Sequence, residues 1–203
     1  MTKLILTLLA ICSIKLSFGQ TFNSAKIKKD TFENYDELRK KQNKAGVDTI
    51  TYLDSTFNYQ VVIPNWLHLM ETNSVNILGG TLPAVDGIEN AIVIKSFGKK
   101  DYKSLKDFKK YIIEDVVFGQ SPPWSNSHKS MGKKDLGKYK DIGGAYKAYW
   151  KIDRLIYHCQ YVLLETETAY LWIDFTSTPE TFEKNIVKFE EFLNGFNVTN
   201  FKR

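Results

Sequence analysis

The chain has 203 residues, a formal charge of +5 and two cysteines. Lysines and carboxylates interleave along most of its length, so the small positive surplus reads as a solvated surface rather than a stripe for a polyanion, and nucleic acid is not an expected partner. At this length a single domain buries roughly 70% of the surface that its unfolded chain exposes, enough for an apolar core.

The first element is an address. Lys3, the apolar run from Leu4 to Ile14 and the small-residue exit Ser17-Phe18-Gly19 read as a secretory signal peptide over residues 1–19, cut after Gly19. A run of about eleven apolar residues is short for a membrane span, which takes roughly twenty. Cys12 raises the question of a lipid anchor, but β-branched Ile11 stands where a small residue is expected, which argues against one. Cleavage leaves about 184 residues beginning at Gln20, lowers the formal charge to +3 by removing Lys3 and Lys15, and leaves Cys159 as the one cysteine. No intramolecular disulfide is then possible, so the core must hold the domain. The expected location is the periplasm or the outside of the cell, with no membrane-spanning segment after cleavage.

Residues 20–48 form a polar, lysine-rich leader in which Phe32, Tyr35 and Leu38 recur at helical spacing behind a candidate N-cap, Asp30. The domain proper is expected over 49–203. Ile50 to Leu53 and Phe57 to Ile63 are β-rich runs separated by Asp54-Ser55 turn chemistry, and Pro64 closes the second because it cannot donate to a ladder. Trp66, Leu67 and Leu69 continue as an extended piece or edge strand. Gly79-Gly80 and Pro83 then mark a loop, and Ala91 to Phe97 is the next strand. Ser104 caps a helix whose Leu105, Phe108, Ile112 and Val116 share one stripe, ended by Gly119.

From 119 to 144 the chain turns polar and is expected to be mostly loop, with a short strand over 138–142. Three β-rich runs follow, Ala145 to Asp153, Leu155 to Glu165 and Ala169 to Thr176, joined by brief turns as in an antiparallel meander. In the last run Leu171, Ile173 and Phe175 alternate with Trp172 and Asp174, so one face should meet a core. Pro179 opens a terminal helix in which Phe182, Ile186, Phe189, Leu193 and Phe196 recur on one side, with Gly195 as its cap.

This order gives an α+β chain with a mainly antiparallel sheet flanked by helices rather than alternating βα units. The segment Phe57-Asn58-Tyr59-Gln60-Val61-Val62-Ile63-Pro64-Asn65-Trp66 resembles the opening of Mog1/PsbP-like α/β/α sandwich domains, with one residue between Pro64 and Trp66. The likeness continues in Ile142-Gly143-Gly144-Ala145 and in the ending Phe192-Leu193-Asn194-Gly195-Phe196. The resemblance implies a sandwich fold over roughly residues 50 to 198 and a role in binding or assembly without catalysis. It carries over no ligand site.

Read residue by residue, the chemistry is sparse. Cys159 is the candidate thiol nucleophile, but adjacent His158 points to the opposite face of a strand, and Cys159 shares its face with Tyr157 and Tyr161. His68, His128 and His158 lack metal-ligand spacing, and neither a catalytic elbow nor a nucleotide loop is present. No cofactor or metal is expected. Trp124, beside Lys129, Lys133, Lys134 and Lys138, is the candidate partner-binding surface, an aromatic anchor next to positive charge. A second candidate is the meander's aromatic face, Tyr149 and Lys151 with Tyr170 and Trp172. The leading expectation is an exported, non-enzymatic binding or assembly module with a protein partner. The alternatives are a carrier of a small apolar or amphiphilic ligand held between helix and sheet, and a hydrolase or thiol enzyme whose site is assembled only in space.

Overall fold

The computed structural model describes residues 37–43, 46, 48–72, 74–117, 128–134, 139, 143–152 and 155–199; at 115–117, 128–131, 133, 143–152 and 155 it describes the backbone alone. Among the described residues from Thr49 onward the main elements follow one another as β1 (Thr49–Asp54), β2 (Tyr59–Pro64), β3 (His68–Leu69), β4 (Ile77–Thr81), β5 (Ala91–Gly98), α1 (Leu105–Lys110), β6 (His128–Lys133), β7 (Gly143–Ile152), β8 (Leu155–Glu165), β9 (Ala169–Ser177), α2 (Pro179–Asn194) and β10 (Phe196–Val198). The class is α+β, and every ladder is antiparallel. The strands divide into a seven-stranded sheet, ordered β3-β4-β5-β9-β8-β7-β6, and a three-stranded sheet, β1-β2-β10.

Several of the described element boundaries have a local cause. Asp54 ends β1 because its Oδ1 accepts from Thr56 N–H at 3.0 Å and Phe57 N–H at 2.9 Å. That Asx-type turn hands the chain to Asn58, whose φ of 55° suits an asparagine. Ser104 Oγ accepts from Asp107 N–H at 3.1 Å and starts α1. Beyond Lys110 the helix widens into a π-helical stretch, Tyr111–Val117. Pro179 sits in the first turn of α2, where its missing N–H costs nothing.

Two cores result, one on each side of the large sheet. On one side α2 and the small sheet press Phe182, Ile186, Phe189, Phe192, Leu193 and Phe196 against Ile92, Ile94, Val162, Leu164, Leu171, Ile173 and Phe175. Phe175 stacks on Phe189 with centroids 5.3 Å apart. On the other side α1 and the π-helical stretch bring Phe108 and Ile112 onto Phe97, Tyr161, Leu163, Tyr170 and Trp172. Leu171, Ile173 and Phe175 meet a core as expected, and the opposite face of this central strand is covered too, so all nine residues of β9 are buried.

Two expectations change. Gly79 and Gly80 lie inside β4, not in a loop. A Cβ on Gly80 would stand 2.7 Å from Leu67 Cγ and 2.9 Å from His68 O, so the pair serves close packing of the β3 segment. The 119–144 stretch, expected to be mostly loop, contributes strand β6 at His128–Lys133, while the strand expected over 138–142 lies outside the described residues except at Tyr139. The β6 sequence lacks alternation because it is an outer strand with an irregular register against β7 between Ser130 and Lys133. Gly195 is the C-cap of α2, as expected, with a right-handed φ of −80° and its N–H donating to Glu191 C=O. A Cβ there would come within 3.0 Å of Val62 Cβ, and Gly195 C=O accepts from Val62 N–H at 3.0 Å as the chain enters β10.

Ahead of β1, residues 37–42 are helical. Leu38 is 5% exposed and belongs to the same core as the small sheet.

Candidate functional site

The densest chemistry lies on the α1 side of the large sheet, where β5, β9 and β8 run side by side. The register pairs Lys95 with Trp172, Val93 with Asp174, Tyr161 with Asp174 and Cys159 with Thr176. Alternation therefore aims Lys95, Trp172, Asp174, Thr176, Cys159 and Tyr161 into one patch. Lys95 Nζ sits 3.8 Å from Asp174 Oδ2, with both side chains about 5% exposed or less, and 3.7 Å from the centroid of Trp172. Thr176 Oγ1 donates to Asp174 Oδ1 at 3.2 Å and lies 3.4 Å from Cys159 Sγ. Tyr161 meets Trp172 edge-on at 5.5 Å.

Burial sets the electrostatics. It pushes the Asp174 carboxyl up to about 6, against the pull of the Lys95 ammonium and the Thr176 hydroxyl. Burial also pushes the Cys159 thiol up, and the nearby Asp174 charge adds to this. A nucleophilic cysteine needs the opposite, a partly exposed and electropositive setting. Cys159 is fully buried and free, so here it packs and hydrogen-bonds. His158 offers it no base. It faces α2, where its ring meets Phe182 edge-on at 5.4 Å, while Cys159 faces the other layer. The shared face of Cys159, Tyr157 and Tyr161 is as alternation predicts.

Sequence reasoning missed this cluster. Lys95 and Asp174 lie 79 positions apart, and each alone resembles an outward-facing charge between apolar neighbours. The signal that was available is that Lys95 interrupts the apolar run Ile92-Val93-Ile94 without any turn residue beside it.

The residues singled out for partner binding are distributed as follows. Trp124 and Lys138 lie outside the described residues. Lys129 and Lys133 stand on β6, opposite Tyr149 and Tyr146 of β7, and their side chains lie outside the described set. Lys134 extends from the end of β6 to Glu190 of α2 at 3.3 Å, both side chains being partly exposed. The second candidate surface separates. Tyr170 and Trp172 are core residues at 3% and 4% exposure, whereas Tyr149 and Lys151 pair with His158 and Ile156, ladder positions out of phase with Tyr170 and Trp172.

Among the described residues no group of three or more His, Cys, Asp or Glu side chains is placed to hold a metal ion, and no described helix is long and apolar enough to cross a membrane. His68 is exposed on β3, and His128 pairs with Trp150 on β6.

No family model matches the chain, and no curated protein matches it. Solved structures similar to it include PA94, a protein of unknown function from Pseudomonas aeruginosa, at 18% identity and a TM-score of 0.48 over 72% of this chain and 94% of that one. Cyanobacterial PsbP from Synechocystis is 11% identical with a TM-score of 0.44 over 76% and 95%. LpqN from Mycobacterium tuberculosis, described as involved in cell envelope biogenesis, is 10% identical with a TM-score of 0.46 over 75% and 91%. A PsbP thus stands among the similar structures, the family that the Phe57 to Trp66 segment resembles. With these three TM-scores below 0.5, function rests on this chain's own residues.

Proposed function

We propose that the chain is an exported, non-enzymatic binding or assembly module that acts by protein contact in the bacterial envelope or outside the cell. Residues 1–19 are the signal that sends it there, and the chain isolated after export is expected to begin at Gln20.

The observation that carries this reading is the position of β6. It is the outer strand of the large sheet, bears Lys129 and Lys133, and leads into Lys134 against Glu190. Lysines on an outer strand oppose indiscriminate strand addition and favour a partner with acidic groups, which they also steer toward the surface. The contact surface assigned here joins Trp124 to Lys129, Lys133, Lys134 and Lys138, with the tryptophan as anchor. The thiol chemistry that would have argued for an enzyme is turned inward: Cys159 lies under the α1 layer, bonded to Thr176.

The test is recovery of a partner from envelope extract by immobilised mature chain. Trp124→Ala and a variant with the four lysines changed to glutamine should each lose a protein that wild type retains. Equal recovery by all three chains rules out this surface.

A further inference from the structure

At the end of the large sheet away from β6, the outer strand is β3. Its inner side is engaged, since Met70 N–H donates to Gly79 C=O at 3.0 Å just past the strand. By alternation Leu67 C=O and Leu69 N–H point the other way, toward the open edge, where such groups invite an added strand. One side chain occupies both. Gln42 Nε2 donates to Leu67 C=O at 2.5 Å, and Gln42 Oε1 accepts from Leu69 N–H at 3.2 Å.

This is the hydrogen-bond pattern of a parallel bridge centred on His68, in which one residue of a neighbouring strand donates to the carbonyl before the central residue and accepts from the N–H after it. The carboxamide of Gln42 imitates the backbone of that missing residue. The segment that supplies it is helical over the described residues 37–42. It is held by Leu38 in the core and by the exposed Arg39–Glu71 pair at 3.1 Å.

We propose that residues 37–42 are a strap that closes the β3 edge, with Leu38 as its anchor and Gln42 as its latch, and that the strap opens independently of the domain. Opening uncovers the backbone groups of Leu67 and Leu69 while leaving the β3–β4 contacts in place. The strap thus keeps the large sheet shut at this edge by lending it a side-chain amide.

Residue-resolved amide hydrogen exchange on the full mature chain tests this. Gln42→Ala should speed exchange of the Leu69 amide about fivefold or more, the loss expected for one hydrogen bond of about 1 kcal/mol, while the Met70 amide keeps its wild-type rate. Leu38→Ala, which acts on the anchor and leaves the latch chemically intact, should also speed Leu69. A Leu69 rate unchanged in both variants overturns the proposal, because the strap would then not guard the edge. A Met70 rate that rises in step with Leu69 overturns it too, because the edge would then open only with the sheet.

Discussion

Lys95 Nζ lies between a carboxylate and an indole, 3.8 Å from Asp174 Oδ2 and 3.7 Å from the Trp172 centroid, with almost no solvent at either charge. An ion pair at this depth gains from a low dielectric but has lost the hydration of two ions. Removing one partner leaves the other buried and uncompensated. Asp174→Leu alone should therefore destabilise the domain by about 3–5 kcal/mol. The double variant Lys95→Met/Asp174→Leu should recover most of that loss or exceed wild type by about 1–4 kcal/mol. Urea midpoints for the four chains of the cycle decide it, and a double variant as weak as the single one would show that the pair itself stabilises the fold.

The same carboxyl gives a pH signature. Its folded value of about 6 lies above the ordinary 3.8, so the folded state binds this proton more tightly than the unfolded chain does. The contribution to stability is thus fully present below about pH 4 and is lost as pH rises through 6. By linkage the span is at most about 3 kcal/mol. Asp54, also raised by burial, acts in the same direction. The measurement is the difference in unfolding free energy between wild type and Asp174→Asn from pH 4 to 7.5. The value for wild type minus that for the variant should fall as pH rises, and a difference independent of pH would contradict the assignment.

Cys159 should resist thiol reagents in the native state. Full burial and a raised thiol value leave no accessible thiolate, so labelling by a disulfide reagent should wait for opening of the fold and speed up sharply in denaturant. Stoichiometric labelling of the native domain within the mixing time would show that the α1 layer does not seal this site.

Gly80→Ala should destabilise the domain by about 1–3 kcal/mol, the cost of overpacking. The added methyl would meet His68 O at 2.9 Å, and a backbone oxygen in a paired strand has little room to retreat. Thermal unfolding reads the effect. A melting temperature equal to wild type would mean that the β3 segment shifts freely away from β4.

Much of this architecture was legible from the chain. The alternation in 145–176 and the stripe from Phe182 to Leu193 are strong periodic signals, and the meander and α2 lie where they point, although Phe196, expected on the same helix, belongs to β10. Ser104 was legible for the same reason, as local side-chain chemistry specifies a local structure. What escaped has non-local causes. Gly79-Gly80 reads as a turn until Leu67 and His68 are seen pressing on it. β6 owes its form to β7 rather than to its own residues. Asp174 looks outward-facing unless α1 is known to cover that side of the sheet, and its bond to Lys95 joins strands that one sequence does not link. The separation of β1 and β2 from the main sheet was hidden because their third member, β10, is three residues long and arrives at the end of the chain.

That late arrival constrains when the domain is able to form. β2 has β1 on one side and β10 on the other, and Tyr59 stacks on Phe196 at 5.4 Å, a contact that closes a loop of well over a hundred residues. Tyr139 adds to the closure by donating to Phe196 C=O at 3.0 Å. A growing chain that has not yet released Phe196 therefore has an unfilled core and an unfinished small sheet. Completion of both the small sheet and the core beneath it waits for β10.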